Sequence, residues 1–305
     1  MTLVFRDNVS LPEHSAGGFD HGDVQPGTGR VFVAHTANGT VDVIDGAGLR
    51  LECTLQGCAE GSGVLYASNA REFVFAAARG DGHLVVFDPN SFHQLGRIAV
   101  GSKPNGLAWD SDRGRVLVAD VEAFDARLLD PHTGECLAIH ELPGRPRWCV
   151  YDAPRQRFLV NIRDPACVVA LAADTLRETA RIERLAAGPH GLDLDRAGQR
   201  AFVACDEGLV CVMDLTTDRE IGRVRIAGEP DAVWYSAASN SLYVAIGDPG
   251  VVDVLDTRTL AVVQQVNTGE GAHTTAFDNK RQRLYVFLPA TAQAAVFDEA
   301  SSPKV

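Results

Sequence analysis

The chain has no apolar run approaching the ~20 residues that cross a bilayer. Its start, Met1-Thr2-Leu3-Val4-Phe5-Arg6-Asp7, lacks the basic-then-apolar pattern of a secretion signal, so a cytoplasmic location is expected. Basic charge is scarce as well. Lys and Arg number 28 against 40 Asp and Glu, a net charge of −12, which disfavours nucleic acid and anionic membranes as partners because both would repel most of the surface. The seven cysteines are odd in number and form no C-x-x-C pair, which reads as reduced, mostly buried thiols. Cys205 and Cys211 fall where a hairpin would bring them close, although filling space between packed sheets is the simpler role for both.

Familiar catalytic signatures are missing too. There is no G-x-S-x-G elbow for a serine nucleophile, no G-x-x-x-x-G-K-[ST] phosphate loop, no G-x-G-x-x-G dinucleotide turn and no H-E-x-x-H zinc helix. No linker interrupts the chain, so one domain over residues 1–305 is expected, with 46% hydrophobic residues to build it.

What the sequence does have is a period. The Val residues ending each central apolar run, Val33, Val74, Val118, Val160, Val203, Val244 and Val286, recur every 41 to 44 residues. Each unit reads as four short strands, and one small sheet of that kind cannot bury both its faces alone. It must stack on neighbours around an axis, which predicts an all-β, seven-bladed β-propeller with four-stranded blades. A linear solenoid would need polar caps, and none is visible. The seventh unit stops after its third strand, Ala295-Val296-Phe297-Asp298, while the chain opens with an orphan strand, Leu3-Val4-Phe5-Arg6. The N-terminal strand is therefore expected to complete the last blade and hide its open edge.

With Leu242-Tyr243-Val244-Ala245, Leu284-Tyr285-Val286, Val252-Asp253-Val254-Leu255-Asp256 and the entry turn Gly101-Ser102-Lys103-Pro104-Asn105-Gly106, the chain resembles the bacterial YVTN-type seven-bladed propellers over essentially its whole length. The WD40 class fits less well, because no blade carries Trp-Asp after its third strand. The resemblance implies a scaffold more strongly than an activity, since related propellers include surface-layer proteins, lactonases, lyases and interaction modules.

Function must then be sought where blade positions converge. Counting thirteen residues back from each anchor gives the expected channel-mouth set: Asp20, Gly61, Asn105, Arg147, His190, Asp231 and His273, with His21 competing with Asp20 for its place. His190, Asp231, His273, Asp20 and His21 are the expected ligands of a divalent metal ion (Zn, Fe, Mn, Ni or Mg), because mixed imidazole and carboxylate donors suit such ions. The plain alternative is that these residues only form turns. The opposite sector is basic, with Arg145, Arg147, Arg163, Arg79 and Lys103. Arg147, Asn105, Trp148 and Arg163 are the expected binders of a small anionic substrate, unless the arginines pair with nearby acids such as Glu141, Asp164 or Asp120. Arg147, His21 and His35 are the candidate catalytic residues. Of the loop residues after the second strands, Asp81, Asp120, Asp164, Asp206 and Asp248 read mostly as solvated turns, and Trp109, Trp148 and Trp234 as packing between blades.

Two functions follow as expectations. One is a metal-dependent lyase or hydrolase, of the kind propeller lactonases and the virginiamycin B lyase class represent; that lyase pattern combines two histidines and a glutamate, which Glu270 with His273, or Glu229 with Asp231, approximate. The other is a non-catalytic propeller that binds a small ligand or a protein partner. Oligomeric state is not readable from the sequence.

Overall fold

The computed structural model describes residues 2–300. It holds seven four-stranded antiparallel sheets. Six are sequential: residues 22–55, 61–99, 104–141, 146–182, 189–225 and 230–267 form blades 1 to 6, each with its first strand innermost. Blade 7 takes its three inner strands from residues 275–300 and its outermost strand from Thr2–Ser10. Each inner strand touches the next, and the last touches the first, so the ring is closed. The described residues contain no helix long and apolar enough to cross a membrane.

The period has a direct structural cause. All seven anchor valines lie in second strands and are 0% exposed. A second strand has neighbours on both sides in its own blade and a sheet stacked against each face, so it reads as a continuous apolar run. Fourth strands have one solvated face, and their burial alternates, as in Arg219–Arg225. The apolar interior divides into seven clusters, one for each junction between neighbouring blades.

The closing strand is tied down in two ways. It pairs along Gln293–Ala300 from Thr2↔Ala300 to Ser10↔Gln293, and it buries Leu3 and Val9. It is also clamped sideways to blade 6, where Gln264 accepts from the Leu3 amide at 2.7 Å and donates to the Leu3 carbonyl at 3.0 Å. Burying two aliphatic side chains contributes roughly 1.5–3 kcal/mol each, besides removing an unpaired edge.

Candidate functional site at the channel mouth

Four blades open with Pro followed by a polar residue: Pro104-Asn105, Pro146-Arg147, Pro189-His190 and Pro230-Asp231. Proline lacks an amide donor and is tolerated as the first residue of a strand. Immediately after it the ladder slips, between Pro104 and Gly106, Pro146 and Cys149, Pro189 and Leu192, and Pro230 and Val233. A bulge of this type frees residues from pairing and re-aims their side chains. Asn105, Arg147, His190 and Asp231 are among the residues it frees. Gly106 and Gly191 follow two of them because the inner strands approach closely there: a Cβ at Gly106 would collide with the Arg147 carbonyl, and one at Gly191 with that of Asp231.

The result is a small recess of about 40 Å³ lined by Asp20, His21, Asn105, Arg147, Trp148, His190 and Asp231. His190 is held on both sides. Its Nδ1 lies 3.0 Å from Asp206 Oδ1 and its Nε2 lies 3.2 Å from Asp231 Oδ1. Behind it, Asn161 of blade 4 donates to the carbonyls of His190 at 2.9 Å and Gly191 at 3.1 Å. Burial alone would lower the His190 pKa, but the Asp231 and Asp206 carboxylates outweigh it and lift it to about 9. Asp231 moves the other way: burial would raise it, and the surrounding imidazoles of His190, His273 and His21 hold it well below the usual carboxylate range. Asp206 is likewise lowered against its burial by His190 and Arg163.

His21 differs. Its ring lies on the indole of Trp148 with centroids 4.0 Å apart, and its Nε2 is 3.4 Å from Asp20 Oδ1. Burial pulls its pKa below the ordinary 6.5, Asp20 and Asp231 offset this only in part, and His190 and Arg147 add to the fall. The recess thus carries one imidazole biased towards the charged form and one biased towards the neutral form.

Arg147 forms no ion pair among the described residues, and its Nε is buried without a protein partner, as is Asn105 Oδ1. Burial and the adjacent Arg145 push the Arg147 guanidinium below its ordinary pKa, although it stays charged at neutral pH. A buried donor and a buried acceptor without protein partners in one recess call for water or a bound molecule to engage them.

The remaining expected residues separate from this group. Asp20 and His21 both line the recess, so neither displaces the other. His273 stands at the rim, 41% exposed, with Nε2 3.7 Å from Asp231 Oδ2. Arg163 does not line the recess; it is ion-paired to Asp206 at 2.5 Å and Glu229 at 3.0 Å. His35 does not reach it either. It is fully buried, with Nδ1 2.7 Å from Asp42 Oδ2 and Nε2 2.8 Å from His14 Nδ1, where it ties the long first entry loop to blade 1. The sequence reading takes Asp206 as a solvated turn, whereas the structure places it against His190 and Arg163. The signal was present: the hairpin pairs Pro189 with Cys205, so Asp206 emerges beside the entry turn that carries His190, and its amide donates to the Gly188 carbonyl at 2.8 Å.

A divalent ion held by His190, Asp231, His273, Asp20 and His21 would need a lone pair on His190. Both of its nitrogens instead face carboxylates, at 3.0 Å and 3.2 Å. Among the described residues, no group of three or more His, Cys, Asp or Glu side chains is arranged to hold a metal ion. This donor set does not fit the ion in this state.

No protein-family model matches the chain, and no curated protein matches it.

Proposed function

We propose that the channel mouth binds a small anionic, carbonyl-bearing molecule and moves a proton on it, in a reaction of the lyase or hydrolase type. The observation that carries this reading is the pair of histidines lining one recess with pKa values pushed in opposite directions, His21 down and His190 up. A separation of this kind supplies a neutral base beside a fixed cation at the same pH. In this reading His21 accepts the proton and later releases it to solvent, the His190 imidazolium, its N–H groups held by Asp206 and Asp231, stabilises developing negative charge, and Arg147 holds the anion in the recess that Asn105 also lines. The resemblance to YVTN-type propellers agrees with the scaffold and is silent on the reaction. No step is routed through a metal.

The experiment is a calorimetric screen of small carboxylates against wild-type protein, Arg147→Ala and His21→Ala. Arg147→Ala should weaken a binding carboxylate by at least ~10-fold, the scale of one lost charged hydrogen-bond pair, with nearly unchanged melting. His21→Ala should keep binding and abolish turnover. Binding unchanged in Arg147→Ala would overturn the assignment of the anion site. A bound ligand that the wild-type protein does not convert would overturn the proton-transfer reading and leave the propeller a binding module.

A further inference from the structure

A second cavity, of about 240 Å³, shares His21 and Trp148 with the recess. All three tryptophans of the chain, Trp109, Trp148 and Trp234, line it. The rings of Trp148 and Trp234 meet edge to face at 6.4 Å. Two carboxylates from separate blades, Asp23 of blade 1 and Asp193 of blade 5, also line this wall. Each accepts two backbone amides, one from its own strand and one from the next blade: Asp23 from Val24 at 2.7 Å and Tyr66 at 2.8 Å, Asp193 from Leu194 and Tyr235, both at 2.7 Å. These bonds fix the carboxylates in place, and neither has a cationic partner within ion-pair distance among the described residues. The cavity's one guanidinium, Arg196, donates to the Tyr151 carbonyl at 2.8 Å.

The lining of this aromatic chamber counts two carboxylate side chains, Asp23 and Asp193, against one guanidinium, Arg196, so a cationic guest meets an excess of acidic groups. Tryptophan offers no ligand atom to a bare metal ion, whereas the negative π-face of an indole attracts a poorly hydrated organic ammonium group. His21 and Trp148 line both the recess and this chamber, so the two spaces meet at this pair.

We infer that the tryptophan-lined cavity is a cage for a small organic ammonium group. Resting on the reading of Arg147 as the anion holder, the ligand is a zwitterion with its carboxylate at the mouth and its alkylated ammonium group beyond the His21–Trp148 pair.

Because every tryptophan of the protein lines the cage, intrinsic fluorescence reads it directly. The probes are choline, its uncharged isostere 3,3-dimethylbutan-1-ol, trimethylacetate, and the zwitterion γ-trimethylaminobutyrate, each titrated at pH 8. Choline should give a saturable fluorescence change, at least tenfold tighter than the isostere, and Arg147→Ala should leave it unchanged. Trp234→Leu, checked for intact melting, should weaken choline at least fivefold. The zwitterion should bind more tightly than choline or trimethylacetate. Equal affinity for choline and its isostere, or no saturable response to choline, would overturn the cage. Trimethylacetate binding that depends on Arg147 while choline fails would overturn the cage and leave the mouth reading standing; the reverse would overturn the mouth reading alone. A zwitterion no tighter than its better half would overturn the single-ligand claim.

Discussion

His190 Nε2 lies 3.2 Å from Asp231 Oδ1, and the two residues come from the second positions of neighbouring inner strands, 41 residues apart in the chain. Because His190 also meets Asp206, its charge is shared between the entry of its own blade and that of the next. The contact therefore has a stabilising role as well as the proposed chemical one.

The sign of that role follows from the folded pKa. Raised from 6.5 to about 9, His190 stabilises the fold fully below about pH 6.5 and loses that contribution as pH rises through about 9. Its size is on the order of 3 kcal/mol. Thermal melts of wild type and His190→Gln should differ most between pH 5 and pH 6.5, and the gap should narrow by pH 10. A gap independent of pH would show that His190 contributes packing and not charge.

Ring closure rests on the outermost strand Thr2–Ser10. Deleting residues 1–9 removes the buried Leu3 and Val9, unties Gln264 and leaves Gln293–Ala300 as an open edge. The truncated chain should melt more than about 10 °C lower or precipitate. Melting like the intact chain would contradict the closure.

The fold was readable because its cause repeats. A second strand enclosed on all sides must be apolar in every blade, so seven valines at even spacing give both the blade count and the ring. The same spacing placed Asn105, Arg147, His190 and Asp231 at one opening, since equivalent positions in a ring converge. What repeats cannot tell is where a particular side chain finds its partner. Arg163 was expected to bind substrate and instead pairs with Asp206 and Glu229. His35 follows an anchor valine closely, yet it lies inside blade 1 against Asp42. Both depend on contacts that occur in one blade only. The tryptophans are a subtler case: first-strand position suggested packing between blades, and the cavity they line appears only when all seven sheets are assembled.

The histidine protonation pattern also bears on metal content. With His190 charged between two carboxylates, protein purified without a His tag should carry well below one divalent ion per chain by elemental analysis. One ion per chain, lost in His273→Ala, would contradict the protonation assigned to His190.

The proposed chemistry needs one recess to hold two imidazoles of opposite protonation at neutral pH. The direct measurement is a pH titration of the ¹⁵N-labelled histidine rings by NMR, with His21→Gln and His190→Gln used to assign the signals. His190 should titrate near 9 and His21 below 6.5. Both rings titrating together near 6.5 would contradict the account.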